Sequence, residues 1–122
     1  MTIVCVDTNW FVLHGLKKKV KKCMPGADVH MCRSVKDALA VVRQHGCDIL
    51  ITEIDLGAEK EEGIELARKV KDSNPVVNII FATSGFAKDY AQQLVRIRYS
   101  GFLTKPFNGD ELSEELKDLR YG

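Results

Sequence analysis

No apolar run in the chain approaches the ~20 residues needed to span a bilayer, and residues Met1 to Asp7 lack the basic start and apolar core of a secretory signal. Neither membrane insertion nor export is expected, and the cytoplasm is the expected compartment. An excess of one charge is missing too. The 18 basic residues stand against 17 acidic ones, so no global attraction to nucleic acid or to a membrane surface is expected. Cysteine is sparse: Cys5, Cys23, Cys32 and Cys47 form no C-x-x-C pair and have no histidine at a zinc-like spacing. They read as small buried apolar residues, kept reduced in the cytosol. There is no G-x-G-x-x-G, no P-loop, and no Ser/His or Cys/His pairing. Those absences argue against a flavin- or nucleotide-binding domain and against nucleophilic catalysis, so no enzymatic turnover is expected.

What is present is a regular alternation. The 122 residues suit one compact domain of roughly 100–150 residues, with no internal repeat, low-complexity tract or linker. Five short apolar runs recur at Thr2–Val6, Asp28–Cys32, Ile49–Thr52, Val77–Ala82 and Gly101–Thr104. The first, third and fourth are nearly continuous, as a parallel strand covered on both faces reads, which places them at the sheet centre. Between the runs, apolar residues recur at helical steps: Phe11, Leu13, Leu16, Val20; then Val35, Leu39, Val42; then Ile64, Leu66, Val70. Ser34 with Asp37, and Asn108 with Glu111, place a capping oxygen three residues before an acid. Pro25-Gly26, His45-Gly46 and Asn74-Pro75 supply helix stops.

Strict alternation of strand and helix implies right-handed crossovers and an α/β fold: a flavodoxin-like, doubly wound five-stranded parallel sheet in the order 2-1-3-4-5, with helices on both faces. In that order ligands bind beyond the carboxyl ends of strands 1 and 3. The residues there are Asp7-Thr8-Asn9 and Glu53-Ile54-Asp55, joined by Thr83-Ser84-Gly85 after strand 4 and Lys105-Pro106-Phe107 after strand 5. Carboxylates, a hydroxyl and an ammonium on one edge suit a hard cation and a phosphoryl group.

These segments resemble the receiver domains of two-component response regulators over essentially the whole chain. The segment from Gly101 to Phe107 is the most specific match, and Asp7, the acceptor position after strand 3, Thr83 and Lys105 follow in family order and spacing. The resemblance implies an acceptor aspartate phosphorylated by a histidine kinase with Mg²⁺ held by neighbouring acids. It also implies that Lys105 contacts the phosphoryl oxygens, Thr83 supplies a switch hydroxyl, and Phe102 occupies an aromatic switch position. The family's output face, helix 4, strand 5 and helix 5, corresponds to about Phe86–Leu119. Partners are then a histidine kinase, an output domain or a second copy meeting on that face, with no direct contact to nucleic acid by this domain. By analogy the chain is expected to be the amino-terminal module of a longer regulator, with Glu114 to Tyr121 as the join to a transcriptional output domain, and the Lys105-Pro106 peptide is expected to be cis.

Three departures fall on the phosphorylation chemistry. The acceptor position holds Glu53. The second of two adjacent acids after strand 1 is replaced by Thr8, and the loop from Gly57 to Gly63 is two residues longer than the family's. Mg²⁺ relies on one or two acids, so losing one weakens the site, with Asp7 and Asp55 left as candidate ligands. Glu53 reaches one methylene further than aspartate, and misplacement of a nucleophile by about 1 Å can cost ~10²-fold. The same reach puts a permanent negative charge within range of Lys105.

Each residue also has a plainer reading. Asp55 is then a solvated loop acid, Asp7 a helix cap, Lys105 a surface lysine, Phe102 a core aromatic, and Thr83 and Ser84 strand-end caps. Trp10 is packing beside the site. The run from Lys17 to Lys22 is either a solvated face favoured by the helix dipole or a docking patch for an acidic partner or DNA, and Glu59, Glu61 and Glu62 suit the start of helix 3. Two functions remain in contest: a degenerate receiver acting through protein contacts, and a working phosphoacceptor.

Overall fold

The computed structural model describes residues 1–57 and 61–119. The chain runs β1 (Thr2–Val6), α1 (Trp10–Cys23), β2 (Asp28–Cys32), α2 (Val35–His45), β3 (Ile49–Thr52), α3 (Glu62–Ser73), β4 (Asn78–Thr83), α4 (Ala91–Leu94), β5 (Gly101–Thr104) and α5 (Gly109–Lys117). All strand pairs are parallel, and the order is β2-β1-β3-β4-β5. The three most apolar runs are the three central strands, as expected for strands covered on both faces.

Alternation along those strands divides the core in two. Val4, Val6, Leu50, Ile79 and Phe81 face α2 and α3 through Ala38, Ile64, Ala67 and Val70. Ile3, Cys5, Ile49, Ile51, Ile80 and Ala82 face α1 and α5 through Leu13, Leu16, Val20, Leu112 and Leu116. Each fully buried Leu, Ile or Phe contributes about 1.5–3 kcal/mol, so the two layers fix the sheet and leave its carboxyl edge to carry chemistry.

Helix ends follow the capping signals. Ser34 accepts from the Asp37 backbone N–H, and Asn108 with Glu111 forms a reciprocal box that starts α5. Asn9, and not Asp7, is the cap of α1, its Oδ1 accepting from the N–H groups of Phe11 and Val12.

Several expectations are corrected. Phe11 is 89% exposed, so the buried stripe of α1 is Leu13, Leu16 and Val20 alone. The fourth strand runs one residue later than its apolar run, taking in the buried amide of Asn78, whose Oδ1 accepts from the Ser100 hydroxyl at 2.8 Å. Cys23 is half-buried, unlike the other three cysteines. The fourth helix is a single turn, preceded by a 3₁₀ turn at Ala87–Tyr90. Glu59, and the end of the expected join at Arg120 and Tyr121, lie outside the described residues.

Candidate functional site

Lys105 follows β5 and is fixed by its backbone: its N–H donates to the Thr83 carbonyl at 2.7 Å, continuing the β4–β5 ladder, and the next peptide, Lys105-Pro106, is cis. Its ammonium donates to Glu53 Oε1 at 2.9 Å and also to Asp7 Oδ2. The side chains of Lys105, Glu53 and Asp7 are 20%, 12% and 6% exposed, so the cluster is largely withdrawn from water. Burial alone pulls the lysine's proton affinity down. The hydrogen bonds and charges of Asp7 and Glu53 outweigh it, and the net shift is upward.

The remaining carboxylate oxygens are also occupied. Glu53 curls back so that Oε2 accepts from the Ile54 N–H at 2.6 Å, and Asp7 Oδ1 accepts from the Asn9 N–H at 2.8 Å. Asp7 therefore binds the cation and shapes the turn into α1 as well. Close approach of α3 fixes the backbone of Glu53. The Gly63 N–H donates to the Ile54 carbonyl at 2.7 Å, and a Cβ on Gly63 would lie 1.8 Å from the Glu53 carbonyl oxygen.

The other expected residues are placed nearby with different attachments. Asp55 Oδ1 accepts from the Glu61 N–H at 3.2 Å, supporting a left-handed residue (φ 61°) that a non-glycine seldom adopts. Asp7, Glu53 and Asp55 are not drawn into a common metal-binding set within 4.8 Å among the described residues. Thr8 is exposed, and its carbonyl accepts from the Arg33 guanidinium at 3.1 and 3.2 Å. Thr83 is buried at the end of β4. Phe102 is half-buried, its ring 6.4 Å from both Phe81 and Tyr90.

Sequence reasoning missed Arg33 and Tyr90, and read Glu61 only as a charge at the start of helix 3. Arg33 reaches across from the end of β2, with its guanidinium 5.7 Å over the Trp10 ring. Glu61 accepts from Gln93 at 2.9 Å, linking the β3–α3 loop to α4. Tyr90 lies against Gly85, where a Cβ would come within 2.9 Å of its ring. Only Tyr90 left a signal, as an aromatic in the segment after strand 4.

The sequence matches the response regulator receiver domain family over residues 3–117. The chain belongs to that family. Receiver domains of this family pair with histidine kinases and output domains, and generally use Mg²⁺ for phosphorylation. Among relatives, the chain is 27% identical over 122 residues to the transcriptional regulatory protein PhoP of Escherichia coli (strain K12), covering 98% of this chain and 52% of that protein. It is 30% identical over 95 residues to the sensor kinase CckA of Brucella abortus (strain 2308), covering 77% of this chain and 10% of the relative. The chain thus spans about half of PhoP and a tenth of CckA. Among solved structures, the chemotaxis protein CheY4 of Vibrio cholerae superposes with a TM-score of 0.85 at 19% identity, covering 98% of both chains. The receiver domain is accordingly a flavodoxin-like sheet with helices on both faces. Among the described residues no helix is long and apolar enough to cross a membrane.

Proposed function

We propose that this receiver domain is a degenerate one that signals through protein contacts without being phosphorylated after β3. The observation that carries the reading is the bond from Lys105 to Glu53. The resemblance gives that lysine the role of meeting phosphoryl oxygens, and here a resident carboxylate already meets it. A glutamate with Oε1 tied to Lys105 and Oε2 tied to the Ile54 N–H is poorly disposed for in-line attack.

The residues at this edge also fit Mg²⁺ badly. Mg²⁺ demands near-ideal octahedral oxygen geometry. Asp7 has both oxygens engaged, Asp55 Oδ1 already accepts from the Glu61 N–H, Thr8 brings no charge, and Arg33 brings a permanent positive one to Thr8. No step through the metal is therefore assigned to this domain.

The output reading rests on the face around α4, β5 and α5, where Phe86, Val95 and Tyr99 are 57%, 76% and 37% exposed. That face is assigned to an output domain, a regulator protein or a second copy, with the domain acting as the receiver part of a longer cytoplasmic regulator and having no turnover of its own. The match to about half of a transcriptional regulatory protein supports that placement.

The test is intact-protein mass after incubation with a small phosphodonor and Mg²⁺, with Glu53→Asp alongside. No gain by the unmodified chain is expected. Gain by Glu53→Asp would add that Lys105 and Thr83 are still competent. A hydroxylamine-labile phosphoryl group on the unmodified chain would overturn the reading in favour of a working phosphoacceptor.

A further inference from the structure

At the opposite edge of the sheet from Lys105, two of the chain's three histidines meet an aspartate. Asp28 opens β2, an edge strand, and His30 lies two residues on, so both side chains leave the same face. That face is the α2 side, because Cys32 continues it into the core shared with α2 while Val29 joins the other core. His45 ends α2, where Gly46 takes φ 77° and closes the helix.

Two-residue periodicity on β2 and the last turn of α2 therefore aim three donors at one point. His30 Nε2 lies 2.9 Å from Asp28 Oδ2, and the two imidazoles stack with centroids 4.6 Å apart at 26°. One donor atom from each of the three residues lies within 4.8 Å of the others.

We propose that Asp28, His30 and His45 form a binding site for a single divalent transition-metal ion of the zinc type, completed by water. Two imidazoles and a carboxylate are the ligand chemistry that zinc accepts when it keeps an open position. In a tetrahedral zinc site neighbouring donor atoms stand about 3.4 Å apart, given bonds of ~2.0–2.2 Å. Closing the observed spread to that distance requires the two imidazoles to turn out of their stack, so that an in-plane lone pair of each ring meets the ion. The carboxyl end of α2 also favours positive charge. Lys21 is the neighbouring cation the ion must tolerate, and its ammonium is committed to the Ala27 carbonyl at 2.7 Å. Bound metal would tie the end of α2 to the sheet edge and raise stability by mass action. The site is independent of the Glu53 reading.

The third histidine supplies an internal control, since His14 lies edge-on to Trp10, apart from the cluster. Zn²⁺ is titrated calorimetrically into the untagged, metal-stripped chain with a non-thiol reductant. One saturable site is expected. Its affinity should fall by at least about 10–100-fold, the loss typical of even an outer-shell partner, in each of Asp28→Asn, His30→Gln and His45→Gln. His14→Gln and Cys23→Ser should bind as the unmodified chain does.

Because a variant can fail for other reasons, imidazole NMR signals of the unmodified chain are followed during the same titration. Selective movement of two of the three imidazoles, assigned through the variants to His30 and His45, supports the site. Absence of saturable binding, equal movement of all three imidazoles, or loss of binding in His14→Gln or Cys23→Ser overturns it.

Discussion

Gly63 and Glu53 are in backbone contact: a side chain on the glycine would begin 1.8 Å from the glutamate's carbonyl oxygen. The first turn of α3 therefore presses on the end of β3, and the acceptor-position residue is held by its backbone before its side chain is considered. Gly63→Ala must push the two apart. Because the atom it meets is backbone, a loss at or above the upper end of the overpacking penalty, about 3 kcal/mol, is expected. Urea unfolding reads it, and a change below 1 kcal/mol, well short of that penalty, would show that α3 slides freely.

Lys105 is the one cation bonded to Asp7 and Glu53 among the described residues. Lys105→Met leaves two largely buried carboxylates together with no counter-charge. Breaking a buried pair from one side costs about 3–5 kcal/mol, and partial solvent access here brings the expectation to about 2–3 kcal/mol at neutral pH. Removing one of the two charges relieves the repulsion, so adding Glu53→Gln to Lys105→Met should recover part of the deficit. Urea unfolding midpoints of the three proteins at neutral pH give the comparison. A double variant no more stable than Lys105→Met would mean the carboxylates do not repel.

The alternation of strand and helix was legible because burial leaves a periodic trace, and the central strands β1, β3 and β4 carry it along their whole length. Where the trace was ambiguous the expectation slipped. Phe11 sits two residues before Leu13, off the buried stripe, and Asn78 hides a polar start of β4 that its bond to Ser100 helps to satisfy. At the site, strand order alone brought Asp7, Glu53 and Lys105 to one edge. The contributions of Arg33 and Glu61 were not legible, since one reaches across from the end of β2 and the other depends on a left-handed backbone. The Asp28, His30 and His45 cluster joins a strand to a helix end and has no local spacing signature.

Arg33 covers Trp10 and grips the Thr8 carbonyl with two donors. An exposed cation–π contact is worth about 0.5–1 kcal/mol, and a hydrogen bond from a charged group, about 1.5–3 kcal/mol in a protected site, is cut to about 0.5–1 kcal/mol by the exposure of Arg33. Arg33→Ala is expected to destabilise the chain by about 1–2 kcal/mol and to change the emission of Trp10, the only tryptophan. Emission spectra of the folded proteins check the second part. Identical spectra would mean that the guanidinium does not rest on the indole in solution.

Alkaline pH should weaken this fold steeply, for a reason that lies in its core. Burial pushes the Cys47 thiol up to about 12 and the Cys32 thiol up to about 11, and it raises Cys5 further still. An unfolded cysteine loses its proton near pH 8.5. Above that pH the unfolded chain binds fewer protons than the folded one, so stability falls as pH rises. Each thiol kept protonated in the fold contributes a slope of about 1.4 kcal/mol per pH unit, or about 4 for the three together. Lys105 acts in the same direction at higher pH. Its raised affinity stabilises fully below the unfolded lysine range, near 10.4, and is lost as pH passes the folded value. Urea midpoints at pH 7.5, 8.5 and 9.5 under reducing conditions should therefore decline. Cys47→Ala should reduce that decline by about a third, since one of three equal slopes is removed. A flat profile would mean that the thiols ionise in place, and both core layers, one holding Cys5 and the other Cys32 and Cys47, would have to admit water to allow it.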